Sequence, residues 1–231
     1  AKLIREGPRV EGYAYEFEEV KRDEPIPLVT LSTVSVLIDA GRYQQAYEEV
    51  QHILRTRATK VEVLALARRL EALTSYYPSL DAAAGAAPAL LARSHRNFLT
   101  GSDYAAVLEA SYAVSLASTP VMDAWLNRLS EITQIKPHRV PEGSALSLVE
   151  RKMQDSETLF LSNKPAEAEL LLRDVVLLRP EHDTALARLG STVYAQGRYP
   201  EAIAVWEKAL KAAPESPENP NIQYMIQQAR Q

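Results

Sequence analysis

The chain has 231 residues, of which 46% are hydrophobic and 24% are charged, a balance typical of a protein with an ordinary apolar core. Its net charge of −4 at pH 7 argues against a phosphate-binding surface, because domains that bind nucleic acid are usually basic. It contains no cysteine, which excludes disulfides and thiolate metal sites. No apolar run approaches the roughly 18 residues that a membrane-spanning helix needs.

The N-terminal segment, residues 1–26, differs from the rest of the chain. Glycines and prolines interrupt it repeatedly, which disfavours helix. Between them, Tyr13, Tyr15 and Phe17 alternate with alanine and glutamate, and this period of two favours an extended chain. The segment is therefore either an extended arm, with its aromatic face on the helices or on a partner, or a linker.

Apolar residues at helical spacing begin at Leu28 and continue almost to the C-terminus. We predict about eleven helices from this spacing. The first seven cover 28–40, 43–57, 60–76, 89–100, 104–117, 121–135 and 144–162. The eighth begins at Pro165, the ninth and tenth lie within 183–216, and the eleventh covers 221–231. Between them, 77–87 predicts a loop or a degenerate short helix, and the two prolines of 137–143 predict a linker.

Residues 183–216 form a unit of 34 residues, with two short helices around a glycine turn. Gly190 and Ala202 are small residues within its two helices, and we expect them where the helices cross closely, because Gly is otherwise unfavourable inside a helix. The second half of the unit, GRYPEAIAVWEKAL at 197–210, aligns without gaps with GRYQQAYEEVQHIL at 41–54. An internal match of this length indicates a repeat protein.

The unit resembles the tetratricopeptide repeat, whose pattern places W-x2-L-G-x2-Y before A-x3-F and a proline. Leu189, Gly190, Ala202 and Pro214 match that pattern. The resemblance is clear over 149–216, good at 27–60 and degenerate at 88–121, where Ser94 and His95 replace Leu and Gly. It implies an all-α, right-handed solenoid of helical hairpins. We predict divergent repeats over 27–148, and closer repeats with a polar capping helix over 149–231.

In this family the first helix of each repeat lines a concave groove that holds a partner's segment. The resemblance therefore implies partner-binding residues on those helices. They are Ser35, Asp39, Arg96, Met153, Glu157, Phe160, Ser191 and Tyr194, with Arg188 beside the row. A two-cation clamp on a terminal carboxylate, known in some members, is not expected, because its asparagines are missing.

Catalytic motifs are absent from the sequence, and its four histidines have no ligand-like spacing. We therefore expect no enzyme activity, no cofactor and no metal site. One basic group has three interpretations: a solvated face at a helix end, a rim that steers an acidic partner, or a nucleic-acid surface, which the lack of aromatic residues disfavours. It comprises Arg55, Arg57, Lys60, Arg68 and Arg69.

The function predicted from these observations is that of a non-enzymatic scaffold for protein–protein interaction. The alanine-rich composition and the start at Ala1 without a methionine favour a bacterial protein that acts in cell-envelope assembly or secretion, after removal of a signal or anchor. A cytoplasmic adaptor or co-chaperone is the alternative, and a helical-repeat nucleic-acid binder is a third.

Overall fold

The structure is a computed structural model that describes residues 28–56, 61–141 and 144–230, so the predicted N-terminal arm or linker lies outside it. The described residues form eleven α-helices and one turn of 3-10 helix at Ala82–Ala84. The helices are α1 Leu28–Asp39, α2 Tyr43–Thr56, α3 Val61–Thr74, α4 Ala86–Thr100, α5 Asp103–Leu116, α6 Pro120–Thr133, α7 Leu148–Leu161, α8 Pro165–Leu178, α9 Asp183–Ala195, α10 Tyr199–Ala212 and α11 Asn219–Ala229.

The turn between α1 and α2 requires glycine for two reasons. Gly41 has a φ of +68°, in the left-handed region that a residue with a Cβ enters at a cost. A Cβ on Gly41 would also overlap the carbonyl of Leu80, whose N–H donates to the Gly41 carbonyl at 2.9 Å. The predicted hairpin is thus fixed to the segment that precedes α4.

Helix α7 starts later than the sequence pattern predicted. We expected one helix over 144–162, but α7 begins at Leu148. Ser147 accepts a hydrogen bond from the N–H of Glu150 at 3.4 Å, and the Glu150 carboxylate accepts one from the N–H of Ser147 at 2.7 Å. This capping box provides acceptors for two backbone N–H groups that have no partner within the helix, and it defines the first turn of α7.

The crossing of α9 and α10 confirms the expectation for Gly190. A Cβ at this position would overlap the indole ring of Trp206. Trp206 is 1% exposed, and its indole N–H donates to the carbonyl of Ala187 at 3.1 Å. Gly190 therefore leaves the space that the large ring occupies, and Ala202 is also fully buried in this region.

The degenerate unit uses Ser94 and His95 in its interior, where both are fully buried. The Ser94 hydroxyl donates to the Ala106 carbonyl at 2.7 Å, which joins α4 to α5 at their crossing. His95 lies among aromatic rings, with its ring centroid 5.1 Å from that of Tyr43 and 4.9 Å from that of Tyr77. At the positions where the repeat pattern has Leu and Gly, this unit therefore has a hydrogen-bonded serine and a histidine packed against aromatic rings.

The helices pack mainly on their neighbours in the chain, but α1 also contacts α4, and α7 and α8 meet at α5. Helix α7 packs on α5 as well as on α8, and α8 also contacts α5. Arg93 on α4 reinforces this junction, because its guanidinium donates to the Leu177 carbonyl at 3.1 Å and pairs with the buried Glu109 at 2.6 Å.

The buried apolar residues form two clusters. The larger one extends from α1 to the start of α9, and the smaller one joins α8, α9, α10 and α11. None of the helices in the described ranges combines the length and apolarity that a membrane span requires. The predicted all-α fold of helical repeats is confirmed, and the predicted division at residues 148 and 149 stays a prediction.

Candidate functional site

A cavity of about 430 Å³ opens between three helices at the C-terminal end of the array. Helices α7, α9 and α11 form its walls, and single residues from α8 and α10 reach it from behind. We call this cavity the groove. Its lining residues are Ser156, Glu157, Phe160, Leu161, Leu172, Thr184, Ala187, Arg188, Ser191, Thr192, Trp206, Glu218, Asn221, Ile222 and Met225.

The groove residues recur at helical spacing. On α9, Thr184, Arg188 and Ser191 are separated by four and three residues, which places them on one face of the helix. Glu157 and Leu161 have the same relation on α7. Helices α7, α9 and α11 therefore each present one stripe of residues to a shared space.

The floor of the groove is apolar and well packed. Leu172 and Trp206 are each 1% exposed, and Ile222 is 6% exposed. The hydrogen bond from Trp206 to the Ala187 carbonyl fixes the ring plane. Since these side chains belong to the smaller apolar cluster, the floor is a continuation of the core.

The rim of the groove exposes apolar surface to solvent. Leu161 is 78% exposed and Phe160 is 39% exposed, although both are adjacent to an apolar floor. Exposed large side chains beside a concave surface are typical of a binding site. This rim is where a ligand would gain most from apolar contact.

Three charged residues line the groove. The Arg188 guanidinium pairs with the Glu157 carboxylate at 3.1 Å, and the two side chains are 40% and 54% exposed. Glu218 precedes α11 and contributes no side-chain hydrogen bond to that helix terminus.

A second, shallower cavity of about 770 Å³ shares Glu157, Thr184 and Arg188 with the groove. The Arg188–Glu157 pair therefore separates the two spaces. The second cavity contains Arg179 and His182. Burial and then the nearby charge of Arg179 hold the pKa of His182 below its usual value.

The structure brings together four of the residues expected to bind a partner. Glu157, Phe160, Arg188 and Ser191 line the groove, and Met153 lines the second cavity. Tyr194 does not line either space. Its ring packs against Tyr199 and Trp206, with centroid distances of 5.1 and 5.7 Å.

The expected residues in the first two units lie elsewhere. Asp39 and Arg96 form an ion pair at 3.1 Å between α1 and α4, although 57 positions separate them in the sequence. Ser35 is exposed on α1. None of the three lines the groove, so the partner-binding set predicted from family geometry divides between the two ends of the array.

Sequence reasoning missed the contribution of α11. From this helix, Met225 forms part of one wall of the groove, Ile222 forms part of its floor, and Glu218 stands at its edge. The spacing of Ile222, Met225 and Ile226 gave an available signal, since it predicts an apolar stripe. The sequence prediction uses only the polar face of this helix, as a cap.

Of the basic group noted in the sequence, Arg69 has a clear contact within the protein. Its guanidinium pairs with Asp103 at 2.5 Å and donates to the Phe98 carbonyl at 2.5 Å. It also lies over the Phe98 ring, 4.7 Å from the centroid. Arg69 thus joins α3 to the α4–α5 turn. Arg57 and Lys60 lie outside the described residues.

A largely buried polar cluster joins α5, α7 and α8. The Lys152 ammonium pairs with Asp174 at 2.7 Å, and the Tyr104 hydroxyl donates to the other oxygen of that carboxylate at 2.7 Å. Nδ1 of His138 lies 3.3 Å from the Lys152 nitrogen. Burial, reinforced by Lys152, lowers the pKa of His138, whereas burial and Asp174 raise the pKa of Tyr104.

The eleven helices and the groove define an all-α protein of the helical-repeat class. Residues 159–228 match the family model of the tetratricopeptide repeat, which confirms the resemblance over that part of the chain. Repeats of this family mediate protein–protein interactions. Neither a curated protein nor a solved structure matches the chain significantly.

Proposed function

We propose that the chain is a protein-interaction scaffold that binds a peptide segment of a partner protein in the groove between α7, α9 and α11. The observation that carries the proposal is the exposed apolar rim above an apolar floor. Leu161 is 78% exposed and lines a cavity of about 430 Å³. Except for Ser156 and Glu157, the residues that line the groove also lie within residues 159–228, which match the tetratricopeptide repeat.

The energetics favour a ligand with one apolar anchor side chain. Full burial of a leucine side chain contributes about 1.5–3 kcal/mol, and a few buried anchors usually dominate the energy of an interface. Since the floor residues are already packed, a partner does not have to order them when it binds. Placement of the site in bacterial cell-envelope assembly or in a cytoplasmic adaptor stays a prediction from the sequence.

The proposal is tested by selection of binders from a random twelve-residue peptide library against the intact chain. The affinities of the selected peptides are then measured for wild type, Leu161→Ser and Leu170→Ser. Leu170 is a matched control, because it is 66% exposed on α8 and does not line the groove. We expect Leu161→Ser to weaken binding by about tenfold or more, in line with the loss of a leucine contact, while Leu170→Ser leaves it unchanged.

Two results would contradict the proposal. If no peptide is enriched, the groove is not a peptide-binding site. If the selected peptides depend on Leu170 and not on Leu161, the interaction surface is the outer face of α8. Circular dichroism of each variant checks that the helices are intact.

A further inference from the structure

We infer that the groove selects a cationic segment, in which a lysine or arginine lies next to the apolar anchor. This inference rests on the proposed function and specifies the chemistry of its ligand. It depends on the two carboxylates that line the groove, Glu157 and Glu218, and on the position of the basic residues.

Glu218 is the carboxylate in the groove with no cation of its own. In the part of the chain that the structure describes, it forms no ion pair, and its side chain does not cap α11. It is exposed and lies in the same lining as the apolar residues Ile222 and Met225. A ligand that places an apolar side chain on these residues would bring its neighbouring side chain close to this carboxylate.

Glu157 supplies the second negative charge, because its ion pair with Arg188 exchanges at low cost. Both side chains are about half exposed, at 54% and 40%, and exposed pairs of this kind contribute little to stability. A cationic side chain from a ligand can therefore share or replace Arg188 as the partner of Glu157. Desolvation of the groove by the ligand would strengthen the new pair.

Arg179 lies on the other side of the Arg188–Glu157 pair. It lines the second cavity together with the carboxylate of Glu150, and neither residue lines the groove, while the lowered pKa of His182 keeps that ring neutral at pH 7. Since Arg179 offsets the charge of Glu150 in the second cavity, a cation is attracted to the end of the groove near Glu218. The net charge of −4 for the whole chain also attracts a cationic ligand at long range.

An acidic ligand does not suit the same space. Its carboxylate would lie beside Glu218 with only Arg188 as a cation, and Arg188 is already paired with Glu157. Like charges brought together in an interface cost several kcal/mol. The charge pattern thus discriminates between ligands that share the same apolar anchor.

The test compares the composition of library peptides selected by wild type, Glu218→Lys and Glu215→Lys. Glu215 is a matched control, since it is exposed three residues earlier in the chain and does not line the groove. Wild type and Glu215→Lys should enrich peptides with Lys or Arg next to Leu, Met or Phe. Glu218→Lys should lose this enrichment and bind the best wild-type peptide about tenfold less tightly, whereas Glu215→Lys should retain its affinity.

The outcomes separate this inference from the proposed function. Peptides that depend on Leu161 but are acidic or uncharged would overturn the inference and leave the groove as a peptide site. Equal losses of affinity in the two lysine variants would also overturn it, because the effect would then be one of net charge. If no peptide depends on Leu161, the proposed function fails, and this inference fails with it.

Discussion

The imidazole of His95 meets the ring of Trp125 edge-on, with ring centroids 5.5 Å apart and planes at 85°. Neither ring nitrogen of His95 has a hydrogen-bond partner among the described residues. Burial lowers the pKa of His95 from 6.5 to about 3, because the charged form would lose its hydration without compensation. A titratable side chain thus fills a position that an apolar ring could fill.

The stability of the protein should therefore fall with acidity in a way that depends on His95. Between pH 6.5 and about 3 the unfolded chain binds a proton at His95 and the folded chain does not. The stability that depends on a neutral His95 is therefore present in full above pH 6.5 and is lost as the pH falls. The loss between pH 7 and 5 is about 2 kcal/mol. Urea denaturation of wild type and His95→Phe at several pH values measures it.

His95→Phe should show a correspondingly smaller loss of stability between pH 7 and 5. The variant should also be about 1 kcal/mol more stable at pH 7, because it removes buried polar atoms that lack partners. His138 and His182 also have lowered pKa values, so part of the acid sensitivity should remain. Identical pH dependence in the two proteins would show that His95 is hydrated in solution.

The second prediction concerns the contact between Gly190 and Trp206. Gly190→Ala adds a Cβ that overlaps the indole ring, and displacement of a packed ring costs about 1–3 kcal/mol. Alanine gains about 1 kcal/mol of helix propensity over glycine, and we expect the overlap to outweigh this gain, for a net loss of about 1 kcal/mol. The free energy of unfolding of Lys211→Ala, a surface change, should alter by less than about 0.5 kcal/mol.

A Gly190→Ala variant as stable as wild type would mean that α9 and α10 are farther apart than described. Trp206 fluorescence gives an independent check, since a displaced ring should change its emission while Lys211→Ala leaves it unchanged.

The third prediction concerns the buried pair of Lys152 and Asp174. Their side chains are 8% and 10% exposed. Lys152→Met leaves the carboxylate buried with only the Tyr104 hydroxyl as a donor, and removal of one partner of such a pair costs about 3–5 kcal/mol. Urea denaturation of the single and double variants measures the loss.

The double variant Lys152→Met with Asp174→Leu serves as the control for this prediction. Apolar replacement of both members of a buried pair is often neutral, so the double variant should be more stable than Lys152→Met alone. Additive losses would show that the two residues do not interact in solution.

The order of the helices could be predicted from the sequence, because its turn signals are local. Gly41 and Gly197 both have a positive φ and both end a helix of the predicted hairpins. The start of α7 could not be placed from apolar spacing alone, since Ala145 and Leu146 lie four and three residues before Val149 and so continue the helical spacing across the capping residue Ser147.

The groove could be predicted only in part. Glu157, Phe160 and Ser191 follow from the position of each residue within its own repeat, and Arg188 lies beside that row. Tyr194 holds the same position in its repeat that Phe160 holds in the preceding repeat. Its ring nevertheless packs on Trp206, because Gly190 has no side chain and leaves the indole ring accessible to Tyr194. The wall from α11 depends on how the last helix stacks, which is a property of three-dimensional packing and not of local spacing.

The contacts of α5 with α7 and α8, together with the reach of Arg93 to the end of α8, have a consequence for how the chain unfolds. In a linear array each repeat contacts only its neighbours, so the interface between two neighbouring repeats decides whether the ends melt separately. The interface between the second and third units is reinforced here, because α8 cannot detach without losing partners on both α4 and α5. Loss of the C-terminal repeats would also remove Val175 and Leu178 from the larger apolar cluster, so we expect the two ends to melt in one cooperative transition.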